Sequence, residues 1–437
     1  MAGGTWTSQN KVRPGAYINC KSKSKQSATL GDRGIVTVPM SLPWGPEKTV
    51  IEIASSDNLF DVLGINIADD AAKLIREAFK RAKTLLLYRL NTGIKATATI
   101  EGLTITAKYS GNKGNNITIV IQNNIDDTSK FEVLTMFEGT QMDKQLVTTI
   151  AELKANNYVE FKGTGELKAT AGIPLKGGSD GTVEKKDYPQ YLADIELHDF
   201  NTMGITTKEQ SIKAIVTTFI KRLREDEGKK VQAVLTDYAI ADYEGIISVK
   251  NGVILSDNTH ITADEAVVFI AGATAGSNIN QSNTYSTYDD AIDVDIKYTN
   301  KEIIQALKNG EIVFTINDCK VVIEEDINTF TSFSDMKDKS FSKNRVIRVL
   351  DGINNDSKLI WSKKYLGKAD NDDNRRDLYR KDLIKHLETL QGLNAVTNVV
   401  PEDVEVLPGE DKDAVVATIG AEPIDSMEKL YMNIDVR

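Results

Sequence analysis

Apolar and polar residues alternate without a break from Leu430 to Arg437, placing Leu430, Met432, Ile434 and Val436 on one side of an extended strand. Chain ends normally fray, so an end patterned in this way is expected to dock in a sheet. A shorter alternating run, Ala16, Tyr17, Ile18, Asn19 and Cys20, follows Pro14-Gly15 and leads into Lys21-Ser-Lys-Ser-Lys25. Both ends read as strands on tethers.

Between them the period changes several times. Gly34 to Met40 reads as a strand, and Pro39, Pro43 and Pro46 around Trp44 enforce an extended connection. A helix capped by Asp69 or Asp70 presents Leu74, Ile75, Ala78, Phe79 and Ala82 on one face and feeds the strand Leu85 to Leu90. From Gly93 to Asp187 the texture is Thr-rich and alternating, with turns such as Gly111-Asn-Lys-Gly-Asn115, as in a small mostly-β insert. Residues 188–335 alternate helix and strand. Thr206-x-x-Glu209 and Thr262-x-x-Glu265 are capping-box patterns, and the first predicts a helix with core face Ile212, Ile215, Val216, Phe219 and Leu223. Strands are expected at Val231 to Leu235, in a hairpin around Asn251-Gly252, at Ile312 to Ile316 and at Lys320 to Glu324. A helix from Asn300 to Lys308 is expected to end at Gly310. Two longer helices, roughly 342–365 and 374–391, precede strands near 403–407, 414–419 and 428–436.

The expected fold class is α+β (mixed α/β) and multidomain. Its expected parts are an N-terminal arm and tether (1–33), a central α/β domain (34–92 plus 188–335) and a mostly-β insertion domain (93–187). A C-terminal α/β domain (336–427) and a C-terminal arm strand (428–437) complete it. At 437 residues and 41% hydrophobic content the chain has material for several cores. Its apolar runs are too short for a bilayer span, and Met1-Ala-Gly-Gly opens no secretion signal, so a cytoplasmic product without membrane anchoring is expected. Cys20 and Cys319 are expected as small buried hydrophobes rather than a disulfide.

The net charge of −10 argues against nucleic-acid binding, but its distribution matters more. Residues 1–33 carry six bases against one acid, a net of +5, whereas residues 401–437 carry ten acids against three bases, a net of −7. The two ends attract each other.

Groups for catalysis are scarce. The three histidines, His198, His260 and His386, are not spaced as a metal pair, and no phosphate-binding loop is present. Gly177-x-Ser179-x-Gly181 matches a nucleophile elbow in letters, and a serine hydrolase using Ser179 is one alternative. The polar stretch after it is unlike the helix such a motif requires, which favours a plain turn. Asp370, Asp372 and Asn374 have calcium-loop spacing, but Arg375 and Lys381 stand where glycine and glutamate are needed; these acids suit a helix N-terminus instead. Gly272-x-x-x-Gly276 suits a closely packed helix end. No catalytic residue, cofactor or metal is assigned. The basic helix with Arg375, Arg376, Arg380, Lys381 and Lys385 reads either as a solvated face or as a candidate docking face for an acidic partner.

Several blocks together resemble the contractile tail sheath proteins of bacteriophages and phage-tail-like particles, particularly those of Gram-positive prophages. They are Gly3-Gly4-Thr5-Trp6, Arg13-Pro14-Gly15-Ala16-Tyr17-Ile18, Ala271 to Gly276, Ala291 to Val294, Glu325-Asp-Ile-Asn-Thr329, Lys343 to Asp351 and Met427-Glu-Lys-Leu-Tyr-Met432. The resemblance implies a structural subunit without an active site. It implies stacked hexameric rings around an inner tail tube, contraction that drives the tube through a bacterial envelope, and contacts with baseplate and tail-terminator proteins. It also implies assembly in the host cytoplasm into a virion or a bacteriocin-like particle. By the same resemblance the terminal arms, about 14–20 and 428–437, add strands to neighbouring subunits through Tyr17, Ile18, Leu430, Tyr431, Met432, Ile434 and Val436. The receiving sheet is then built from strands after Asp403, and Lys343, Arg345, Arg375, Arg376 and Arg380 are the candidate tube contacts. A second alternative is a monomeric binding module whose terminal strands complete its own sheet.

Overall fold

Leu85-Leu-Leu-Tyr88 leaves no polar position for water, and the strand it belongs to, Thr84–Arg89, lies within a seven-stranded sheet. The structure is a computed structural model that describes residues 2–4, 15–17 and 33–436. Across the sheet the strands run Glu311–Ile312, Ile246–Val249, Gln232–Thr236, Thr202–Gly204, Ile35–Met40, Thr84–Arg89 and Val50–Ala54. All neighbours are parallel except the Val50–Ala54 edge strand. Alternate residues of one strand serve opposite faces, so Leu85 and Leu87 join one core while Leu86 and Tyr88 join the other.

The first core is covered by helices α1 (Leu59–Leu63) and α2 (Lys73–Phe79), and the second by α3 (Asp187–Ile195) and α4 (Gln210–Glu225). Helix α5 (Ala263–Gly276) lies in the first core with Ala266 to Ala275 all buried. Its glycines have a specific use. A Cβ at Gly272 would sit 2.6 Å from the Ala78 carbonyl oxygen and one at Gly276 only 2.0 Å from that of Arg81, so α5 crosses α2 at backbone contact. Thr262 and Glu265 close the expected capping box, and Thr299 with Glu302 closes another on α6 (Asn300–Lys308).

Four local expectations are corrected. Helix α4 starts at Gln210 because the Thr207 hydroxyl takes the Glu209 N–H and Glu209 pairs with Lys185, leaving Thr206 outside the helix. Ile215 turns outward, and Ile220 joins the core in its place. Asn251-Gly252 makes no hairpin: neither residue has positive φ, and the buried Asn251 side chain instead bonds the backbone N–H and C=O of Phe314. The tight hairpin is Phe314–Asn317 with Lys320–Ile323, where Asp318 (φ 46°) and Cys319 (φ 59°) form the turn and expose the thiol.

The chain leaves the sheet at Arg89 for a β-sandwich of a four-stranded and a three-stranded sheet and returns beside its exit, where Ile94 bridges Ser179. A buried polar joint holds the sandwich to the sheet. Arg89 donates to the Gly45 carbonyl and the Ser110 hydroxyl, and Asn91 bonds Leu42 and the Asp180 carbonyl. Trp44 inserts into the sandwich core against Tyr109 and Phe137. Helices α7 (Asn344–Lys364) and α8 (Asp373–Gly392) build the last unit, with a core of Val349, Ile353, Ile360, Tyr379, Leu383, Leu387 and Val404. Two small antiparallel pairs finish it, Val396–Thr397 with Glu422–Pro423 and Val404–Pro408 with Val415–Ile419.

Candidate functional site: a terminal arm, its root and an open hairpin

Among the described residues, 427–436 form no strand with the rest of their own chain. Leu430 is 84% exposed and Val436 96%, and Tyr431, Met432 and Ile434 are exposed as well. Five large apolar or aromatic side chains within seven residues therefore stand in water, which a lone soluble chain rarely tolerates and which marks a contact surface. Among the described residues the arm completes no sheet of its own chain, contrary to what a monomeric module would require. At the other end, Gly15–Tyr17 pairs in parallel with Ala2–Gly4; Ile18 and Cys20 lie outside the described residues.

The hairpin of Val404–Pro408 and Val415–Ile419 has no further strand on either side among the described residues. Val404 packs beneath it on α8, whose Arg380 donates to the Val404 and Pro401 carbonyls, while Leu407 and Val416 face outward. An extended segment of matching alternation fits such an edge, since backbone groups supply the ladder and alternate side chains the packing.

Three blocks far apart in sequence meet at the root of the arm. Lys343, at the start of α7, is 9% exposed and paired with both Glu325 and Glu428. Glu428 also accepts from the Thr284 hydroxyl (2.8 Å) and the Ser426 hydroxyl (3.0 Å). Burial alone would push the Glu428 carboxyl up, but Lys343 and the two hydroxyls hold it below its ordinary value. Lys343 is the mirror case: burial opposes its charge, and the two carboxylates hold it above the usual lysine value. The Thr284 oxygen in turn accepts the Asp326 N–H (2.9 Å), and Asp326 is held by Asn344 (2.9 Å) with Arg348 3.6 Å away. Asn344 accepts from Gln232 (3.2 Å), and two turns further along α7 Asp351 receives Arg224 bidentately at 2.7 and 2.8 Å. The network thus runs from the arm through α7 to the seven-stranded sheet and α4.

Family models agree with this architecture over nearly the whole chain. Those for the phage tail sheath protein central domain, beta-sandwich domain and C-terminal domain match residues 181–329, 91–180 and 336–437, and one for the N-terminal region of domain III of the tail sheath protein Gp18 matches 33–90. The chain is similar over its full length, and that of the relative, to the phage-like element PBSX protein XkdK of Bacillus subtilis at 39% identity. The chain belongs to the phage tail sheath protein family. The sheath tail protein of Desulfitobacterium hafniense, a solved structure, is 51% identical with a TM-score of 0.86, covering 96% of this chain and 99% of that one. The helical sheath of the anti-feeding prophage in its contracted state shares the fold at 12% identity, with a TM-score of 0.56 over 97% of this chain and 99% of that one.

In a sheath protein the remaining candidate residues take structural roles. Ser179 exchanges backbone hydrogen bonds with Ile94 after Gly177 turns at φ 82°, with no strand-to-helix elbow, and the family is structural rather than enzymatic. Asp372 caps α8 by accepting the Arg375 N–H at 2.7 Å. Among the described residues no cluster of His, Cys, Asp and Glu is arranged to hold a metal, and no helix is long and apolar enough to cross a membrane. Of the candidate tube contacts, Lys343 is corrected, because its ammonium is buried between two carboxylates. Arg376 is engaged with Asn371 and Asp373, Arg380 with the hairpin carbonyls, and Arg345 reaches the Asn394 carbonyl. Arg375 alone of the five is exposed with no side-chain hydrogen bond or ion pair among the described residues. Glu428, Thr284 and Glu325 escaped sequence reading; the available signal was the acid Glu428 just before the arm's alternation begins at Leu430.

Proposed function

We propose that this sheath protein polymerises as stacked hexameric rings around an inner tail tube, tied into a mesh by its terminal arms, and that the cylinder contracts to drive the tube through a bacterial envelope. The observation that carries the reading is the exposed alternating segment Leu430 to Val436, which joins no sheet among the described residues of its own chain. The open hairpin 404–419 is the proposed receiver. Tyr17 and Ile18 of the N-terminal arm are proposed to add beside it, with Leu430, Tyr431, Met432, Ile434 and Val436 of another subunit.

Each added strand contributes backbone hydrogen bonds at about 1 kcal/mol net and buried side chains at about 1.5–3 kcal/mol, before the entropy of ordering is subtracted. Repetition over a head-to-tail lattice multiplies a modest junction into a stable cylinder. The tether from Lys21 to Arg33, extended, reaches on the order of 40 Å, enough to keep subunits linked while their bodies repack. The opposite charges of the two ends favour the encounter. With no nucleotide-binding loop in the sequence, the work of contraction is stored in the extended assembly. The tube is proposed to lie against the exposed face of α8 around Arg375, and baseplate and terminator proteins against the two ends of the cylinder.

Deletion of residues 430–437 tests the arm. The truncated chain is expected to keep the thermal midpoint of the intact monomer and to form no rings or hollow cylinders by negative-stain electron microscopy. Cylinders of normal length from that deletion would overturn the reading.

A further inference from the structure

The arm's exposed residues begin immediately after a partly buried acid that holds several partners. Ser426 and Glu428 are partly buried, while Met427 and everything from Lys429 to Val436 is exposed. We propose that Glu428 is a latch: it pins the root of the C-terminal arm to Lys343 and Thr284, so that the arm leaves the body from a fixed pivot. Glu428 is then a positioning residue for strand donation, and the inference rests on the arm-exchange reading above.

Three features argue for a latch rather than a surface ion pair. The contact is shielded, with the side chains of Lys343 and Glu428 only 11% and 12% exposed. It is redundant, because Glu325 shares the same lysine and Thr284 and Ser426 hold the same carboxylate. It is also continuous with the body: Thr284 accepts from Asp326, Asp326 from Asn344, and Asn344 from Gln232 of the central sheet. A pull on the arm is therefore delivered to the start of α7, where the central and C-terminal units meet, instead of being absorbed by a slack linker. A single lysine between two acids makes the arrangement specific, since losing the arm's carboxylate leaves Lys343 with Glu325, whereas losing the lysine leaves two facing carboxylates.

The unassembled chain tests the latch directly. Trypsin cleaving after Lys429 must draw the flanking residues, Ser426 and Glu428 included, out of their pairing, so cleavage reports the open fraction of the root. Glu428→Ala and Glu428→Gln are expected to raise the cleavage rate at Lys429 by about tenfold or more while the circular dichroism and the thermal midpoint of the body hold. The same variants are expected to give fewer and shorter cylinders. Lys343→Met, which takes the cation from Glu428 and leaves it facing Glu325, is expected to open the root in the same way. Wild-type cleavage rates in both Glu428 variants, or in Lys343→Met, would overturn the latch. The deletion of 430–437, which keeps Glu428, separates the two ideas: cylinders from that deletion sink arm exchange, whereas no cylinders together with unaltered protection in E428A sink the latch alone.

Discussion

Lys343 shows how far burial changes what a charged residue does. On the sequence it belongs with the basic residues available to a partner; in the structure it is enclosed by Glu325 and Glu428, and Arg375, two helices' ends away in the chain, is the one left exposed. His386 is a second case. It is buried on α8 with Asp356 of α7 3.6 Å away, too far for a hydrogen bond, and burial holds the imidazole below its ordinary value of 6.5 despite that carboxylate. A depressed folded-state value means that the unfolded chain binds the proton more readily. The stability it contributes is therefore complete above about pH 6.5 and is lost as the pH falls through the folded-state value. The urea midpoint is expected to drop on acidification below 6.5, with a shallower slope in His386→Gln; a midpoint that rises on acidification would contradict the assignment.

At the scale of elements, amphipathic period was a good guide wherever one element met one core. Helices α5, α6 and α8 stand where period and caps placed them, because i, i+3, i+4 spacing reflects a single buried stripe; α2 and α7 stand where period placed them, but neither Asp69 nor Asp70 caps α2, which begins at Lys73 after Ala72. The errors fall where a side chain found a distant partner. Asn251 bonds Phe314, 63 residues away, and Thr207 displaced Thr206 at the start of α4. The Gly272 and Gly276 pair was legible as close packing, though not which backbone it meets. Gly276→Ala is expected to cost about 1–3 kcal/mol, because its Cβ would press on the Arg81 carbonyl and neither backbone has room to yield. Chemical denaturation measures this, and an unchanged midpoint would show that α5 and α2 separate freely.

For the whole molecule, the governing feature is that a body with four hydrophobic cores carries an apolar arm it does not cover. A tube held through Arg375 on the open face of α8 implies exposed, screened charge. Charge reversal at Arg375 is expected to weaken co-assembly with the tube at low salt, and the difference from wild type to shrink as ionic strength passes about 0.15 M, where screening acts over about 8 Å. Co-sedimentation of sheath with tube reads this; a variant that binds equally at every salt would remove α8 from the tube-facing surface. The alternation of residues 430–436, the sandwich-like texture of the insert, the buried strand at 85–88 and the poverty in catalytic groups were determined by the sequence itself, because each is a local pattern read against one solvent boundary. Only the tertiary structure decided that the arm finds no sheet among the described residues of its own chain, that Glu325, Lys343 and Glu428 meet at its root, and that Lys343 is buried while Arg375 is exposed. Those outcomes depend on contacts between residues up to 144 positions apart, such as Thr284 with Glu428, which no local period encodes.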